Sequence, residues 1–445
     1  MSPIPPNTKG RGARTNDTSR FLELKRERFD DGWTGDDQTP RPLRTVIEAD
    51  SARTIICSND SPDIGFNKSI NPYRGCEHGC IYCYARPGHA YLGLSPGLDF
   101  ESRLFFKPHA HELLARELSR KRYRPEVIHI GGDTDPYQPI ERRLRVTRRV
   151  IETLVRFRHP FTLITKSALV VRDLDILGPA AAAGLARVAV SITTLDRKLA
   201  RRMEPRAATP ERRLEAVRTL SAAGVPTAVM FAPVIPGLND HELEGVLERS
   251  AEAGASTAGY VVLRLPREIA GLFQEWLASD YPDRASRVMS LVRQMRGGAD
   301  YVAAFGERQK GQGPIAELIA SRFAAARRRF GLDGPMPPLD LTAFRVPGRA
   351  GDQLDLFGQP AAPVTDLPDI SALRGGTANP VHGPTPAGSG VAAPLPTGTE
   401  PCLHRGHTFW QTGEAPAEPL SGKTPPPVRR AATRGTGRRA GRAPA

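Results

Sequence analysis

The chain has 445 residues, with 62 Lys and Arg against 48 Asp and Glu, for a formal net charge of +14. That length allows two or three domains at about 150 residues each, yet only 39% of residues are apolar and 84 are Gly or Pro in equal number, which points to a folded domain with polar appendages. No run approaches the roughly 20 apolar residues of a membrane span, and the opening MSPIPPNTKGRGAR has no apolar core, so a cytoplasmic protein without a secretory leader is expected.

Residues 1–55 read as a polar, basic N-terminal extension, with a short helix in LELKRERFDDGW. Residues 56–335 read as the core domain. Within it, short β-branched runs alternate with stretches of helical period. The predicted strands are 67–75, 126–132 (EVIHIGG), 161–167 (FTLITKS), 187–194 (RVAVSITT), 225–237 (VPTAVMFAPVIPG) and 258–266 (AGYVVLRLP). Between them, helices are predicted in AHELLARELSRKR, RRLRVTRRVIETLVRF, LVVRDLDILGPAAAAG, ERRLEAVRTLSAAG (closing on Gly224) and DHELEGVLERSAEAG. Apolar strands between helices belong to a parallel sheet covered on both faces. The expected fold is therefore α/β, a partial TIM-type barrel of about six βα units, with its reactive residues at the C-terminal strand ends.

Residues 336–445 read as a linker and a disordered Pro/Gly-rich tail: 351–445 hold 15 Pro and 14 Gly, and 420–445 carry seven Lys or Arg and no acid. The five cysteines are at 57, 76, 80, 83 and 402. Such a sparse, odd count argues against a disulfide framework. Three of them lie in Gly75-Cys76-Glu77-His78-Gly79-Cys80-Ile81-Tyr82-Cys83-Tyr84, spaced C-x3-C-x2-C. Three thiolates on so short a loop suit a soft-metal cluster. An iron–sulfur cluster of four irons usually takes four cysteines, so three leave one iron open. Structural zinc instead favours two separated pairs, and His78, lying between two ligands, is awkwardly placed to be a fourth.

This spacing, with an aromatic before the third cysteine, resembles the radical S-adenosylmethionine (SAM) superfamily. NPYRGCEHGCIYCYAR is similar to the subgroup of spore photoproduct lyase and its uncharacterised bacterial relatives. The resemblance implies a [4Fe–4S] cluster on Cys76, Cys80 and Cys83, with SAM chelated at the open iron. It further implies an electron donor of flavodoxin or ferredoxin type, reductive cleavage of SAM, and a 5′-deoxyadenosyl radical that takes hydrogen from a substrate.

Carried over residue by residue, the resemblance places SAM contacts at Tyr82 and at the strand-end run Gly131, Gly132, Asp133 and Thr134. Asp133 stands where relatives have Glu, so Thr134 or Asp135 is an alternative acceptor. Lys166 and Ser191 end the third and fourth strands; Glu204 and Arg206 follow as ribose- and carboxylate-binding candidates. Ile235 and Gly237, in FAPVIPGLND, resemble the adenine floor. Spore photoproduct lyases use a further cysteine to return hydrogen; the loop here, Asp133-Thr134-Asp135-Pro136-Tyr137, has none, so thymine-dimer repair is not inferred. Tyr84, Tyr137 and Asp135 are the catalytic candidates, with Tyr91 a further tyrosine. Too few thiols remain for an auxiliary all-cysteine cluster.

In the tail, Gln353, Leu354, Asp355, Leu356 and Phe357 resemble the short peptide that binds the bacterial β sliding clamp. Together with the basic charge, this makes a nucleic acid the expected substrate or partner. Two rivals stand beside that reading: a radical SAM enzyme acting on a small molecule or protein, and a non-enzymatic metal-binding nucleic-acid module.

Overall fold

A computed structural model describes residues 10–23 and 43–348. The sliding-clamp-like peptide 353–357 and the basic end lie outside the described residues. Among the described residues there are ten strands: β1 (Val46–Ala49), β2 (Ile56–Ser58), β3 (Lys68–Ile70), β4 (Tyr73–Arg74), β5 (Arg103–Phe106), β6 (Ile128–Ile130), β7 (Phe161–Thr165), β8 (Ala186–Ser191), β9 (Thr227–Val234) and β10 (Thr257–Val262). The main sheet runs β10-β9-β8-β7-β6-β3-β2. Its six strands from β3 to β10 are parallel and follow one another in chain order, while β2 adds antiparallel to β3. β3 and β10 do not pair, so the sheet is an open partial barrel of six βα units, as the alternation of strand and helix predicts.

Two elements differ from expectation for local reasons. The run 67–75 is not one strand, because Pro72 has no N–H for a ladder. The chain leaves the main sheet there, and β4 joins a small sheet ordered β1-β5-β4. The helix expected from Arg142 is broken at Arg145 (φ 49°) into Glu141–Leu144 and Val146–Arg156. The buried Glu141 carboxylate accepts the N–H groups of Thr147 (3.0 Å) and Arg148 (3.3 Å), restarting the helix.

The outer face of the sheet is packed under helices by Ile70, Ile130, Leu163, Val188, Val229, Phe231 and Val262. Alternation sends Ile164, Ala189, Ala228, Met230, Ala232 and Val261 to the other face, where Met336 packs against them. Ile164, Ala189 and Ala228 are register partners across three strands. Across the open side, Arg308 binds Asp63 (2.6 Å) in the β2–β3 loop, and Arg296 binds the Leu263 carbonyl just past β10 (3.0 Å) and the Arg308 carbonyl (2.9 Å). This polar clasp ties together the two edges that the sheet itself leaves apart. Among the described residues no helix is long and apolar enough to cross a membrane.

Candidate metal centre

The cysteine loop begins where β4 ends. Gly75 (φ 74°) is required there, since a Cβ would lie 2.9 Å from both His89 Cε1 and the Phe100 carbonyl oxygen. The loop is then pinned from three directions. Cys76 N–H donates to Phe100 O (2.9 Å), and Ile81 N–H to Met203 O (3.0 Å). Gln138, fully buried, accepts from Glu77 N–H (2.9 Å) and donates to Gly75 O (3.1 Å). Cys76, Cys80 and Cys83 are all free thiols, the first two buried and the third half-buried. Burial pushes all three thiols up from their ordinary value, most of all Cys76 and Cys80. A soft metal that binds thiolates offsets that cost.

Among the described residues, no three His, Cys, Asp or Glu side chains are grouped so as to hold a single metal ion. Three soft thiol donors on one externally pinned loop are of the donor type that a [4Fe–4S] cluster takes.

Beneath the loop lies Arg86, fully buried. It donates to the carbonyls of Cys80 (2.9 Å), Gly79 (3.1 Å), Pro96 (3.1 Å) and Gly97 (3.0 Å), and pairs with the buried carboxylate of Glu101. On the other flank, His78 Nδ1 lies 3.3 Å from Asp135 Oδ2. Asp135 also accepts from Thr165 Oγ1 (2.6 Å) and Lys166 N–H (2.7 Å). Burial would raise its carboxyl, but His78 and these donors hold it down at about 2. Asp135 thus ties the cysteine loop to the end of β7.

Facing the loop are the strand ends. Gly131 (φ 93°) leaves no space for a Cβ, which would sit 2.6 Å from Ile164 O. The Gly132 carbonyl accepts the Tyr84 hydroxyl, and Arg264 lies over the Tyr84 ring at 5.3 Å. Asp133 N–H donates to Asn71 (3.0 Å), and the buried Thr134 hydroxyl to Tyr73 O (2.9 Å). Lys166 points toward the cysteines, its ammonium 5.8 Å from the Tyr82 ring centroid. Burial would lower its pKa, but the facing groups at Cys80 and Glu204 hold it up. Among the described residues Lys166 forms no ion pair. Ser191 is buried at the end of β8, and its carbonyl accepts from Arg213 (3.0 Å).

Glu204 is buried with three partners: the Tyr82 hydroxyl, the Thr193 hydroxyl (2.6 Å) and Arg213. Burial would raise its carboxyl, but Arg213 and Lys166 hold it low. Arg206 instead pairs with Glu77 (3.2 Å) on the flank of the loop and is partly exposed. Ile235 is fully buried in one apolar cluster with Cys80 and Tyr82. Its N–H is held by Asn239 (2.6 Å), while Gly237 (φ 76°) donates to Asp240 (2.8 Å). Tyr137 is fully enclosed, its hydroxyl donating to Asp173 (2.9 Å). Arg86, Gln138, Glu101, Arg213 and Asn239 were not singled out from the sequence. Gln138, Glu101 and Arg213 lie outside the quoted motifs, while Arg86 and Asn239 stand at the ends of NPYRGCEHGCIYCYAR and FAPVIPGLND with no site role read for them, and the buried hydrogen bonds of all five reveal their parts.

A family profile described as the radical SAM superfamily matches residues 70–249. An uncharacterised protein of Mycobacterium tuberculosis (strain ATCC 25618 / H37Rv) is 38% identical over 230 residues, covering 51% of this chain and 68% of the relative. One from Methanocaldococcus jannaschii is 26% identical over 214 residues, covering 48% and 76%. Solved structures similar to this chain include spore photoproduct lyase complexed with dinucleoside spore photoproduct. That structure has a TM-score of 0.46 at 14% identity, over 64% of this chain and 79% of the other. Another is the radical SAM methyltransferase TsrM from Kitasatospora setae, with a TM-score of 0.33 at 16% identity, over 44% and 36%. The chain belongs to the radical SAM superfamily.

Proposed function

We propose that the chain is a radical SAM enzyme acting on a nucleic acid. One arrangement carries the enzymatic part of this reading. A pinned, buried three-thiol loop stands at the C-terminal end of an open parallel sheet, opposite Lys166, an ammonium without an ion pair among the described residues. When bound, a [4Fe–4S] cluster and SAM supply one-electron cleavage of the sulfonium C–S bond and hence a 5′-deoxyadenosyl radical for hydrogen abstraction. Cys76, Cys80 and Cys83 would hold the cluster. Lys166 offers a cation to the methionine carboxylate, with Ser191 beside it on the next strand. Glycine at 131 lets the end of β6 pack directly against the Ile164 carbonyl and Pro136, which fixes the strand end that faces the loop. Tyr82 and Ile235 supply an apolar wall that excludes water. Arg213 keeps Glu204 ionised where a ribose hydroxyl needs an acceptor.

The nucleic-acid part is supported by the net charge of +14, by seven basic residues in 420–445 and by the sliding-clamp-like run Gln353–Phe357. The test is anaerobic reconstitution followed by assays for iron and 5′-deoxyadenosine. About four irons per chain are expected, lost on changing Cys76, Cys80 or Cys83 to Ala. Stoichiometric zinc in place of iron would overturn the reading. For the substrate, salt-dependent binding to oligonucleotides is expected, and its absence at low salt would remove nucleic acid.

A further inference from the structure

The described part of the N-terminal extension runs directly against the cysteine loop. Gly12 and Ala13 donate their N–H groups to the two oxygens of Glu101 (2.9 and 2.8 Å), the same buried carboxylate that pairs with Arg86. The contact is backbone on backbone. A Cβ on Gly12 would lie 1.9 Å from the Gly79 carbonyl oxygen, between the first two cysteines. Three residues further on, the approach is repeated: a Cβ on Gly97 would lie 2.1 Å from Thr15 O, and Leu98 N–H donates to that oxygen (3.1 Å). Arg11, nearly fully buried, donates to Glu101 O (2.5 Å), and Arg14 pairs with Asp280 (2.7 Å) on the helix Ile269–Asp280.

We propose that residues 10–16 are a strap that holds the cysteine loop in its cluster-binding shape and shields it from solvent oxidants, so that the N-terminal extension is a working part of the metal centre. The inference rests on the reading of that loop as a cluster site. Its logic is positional: Arg86 fixes the loop's carbonyls from below, Glu101 fixes Arg86, and the strap completes the coordination of Glu101. A surface appendage would not need two places where only glycine fits. The strap acts on the cluster through the loop and is a positioning element.

The test is full-length protein carrying Gly12→Ala, with Gly271→Ala as control, because a Cβ at Gly271 meets nothing within 4 Å. Hydrogen exchange of residues 75–85 in the metal-free protein should speed up in Gly12→Ala on the order of tenfold, equivalent to about 1.4 kcal/mol of local opening. Exchange in β7–β9 should not change. After reconstitution, the cluster absorbance should bleach faster in air by a similar factor, with the control unchanged. Should Gly12→Ala fail to fold, Ala13→Pro, which removes one donor to Glu101, is read in the same way. Equal loop exchange and equal bleaching in variant and wild type would overturn the strap. So would a uniform rise in exchange across the whole sheet, which would make the segment a general stabiliser. A wild-type chain that takes up no iron would overturn the cluster reading itself, and exchange in the metal-free protein would still decide whether the segment braces the loop.

Discussion

Arg86 puts all its donors on four carbonyls and one carboxylate at zero exposure, so its value lies in being complete. Replacing it with Leu strands Glu101 as a buried charge, for which a loss of about 3–5 kcal/mol is typical. Urea unfolding of Arg86→Leu should show that loss, together with lower iron content after reconstitution. Lys166 is the opposite case, a half-buried cation with no ion pair among the described residues. Lys166→Ala should leave iron intact and weaken SAM binding about tenfold to a hundredfold, since a hydrogen bond to a charged group is worth ~1.5–3 kcal/mol. Equilibrium dialysis with labelled SAM checks this, and unchanged affinity would remove Lys166 from the pocket. The cysteines and Lys166 were legible because each stands in a short pattern. Arg213 was not, nor was the role of Arg86 at the end of the cysteine motif, because in an Arg-rich chain residue type alone does not separate a buried arginine from a solvated one.

At the level of elements, the six strands could be read because apolar β-branched runs such as FTLIT and ARVAVS are buried along nearly their whole length. The break at Arg145 could not, since it depends on where the Glu141 carboxylate points in three dimensions. His159, between the helix ending at Arg156 and β7, gives an element-scale prediction. It is fully buried, with Nε2 2.7 Å from the Tyr123 hydroxyl, and burial holds its pKa down at about 4 against 6.5. The unfolded chain therefore binds a proton below pH 6.5 that the folded chain refuses until about pH 4. Stability from this residue is complete above pH 6.5 and falls between 6.5 and 4, by up to about 3 kcal/mol. Urea unfolding across that window should show a shallower slope for His159→Gln than for wild type, and equal slopes would refute the assignment.

For the molecule as a whole, the sheet, the cysteine loop and the clasp all lie within 43–348. Deleting 351–445 should leave thermal unfolding and iron content unchanged, because so polar a segment has little apolar surface to contribute to a core. The same deletion, or Ala at Leu356 and Phe357 alone, should abolish sliding-clamp binding, which calorimetry with a 350–360 peptide should place on the order of micromolar. A silent peptide beside an active known clamp ligand would make the resemblance of QLDLF a coincidence. A polar extension wrapped on the core is a reading that residues 1–55 allow, but neither its contacts at Glu101 nor the clasp could be foreseen from sequence pattern, because each joins residues that are far apart in the chain and share no periodicity.

The clasp between Asp63 and Arg308 spans 245 positions of sequence. During synthesis, all six parallel strands leave the ribosome before Arg296 and Arg308 do, so a nascent chain carries the whole sheet with its edges still unjoined. The closing contacts are among the most non-local in the molecule, and such contacts form slowly. Their added loop-closure cost grows only with the logarithm of length. Ribosome-stalled chains ending before Phe305 should therefore be more open to protease at the β2–β3 loop than chains released after Gln309, with the cysteine loop already emerged in both.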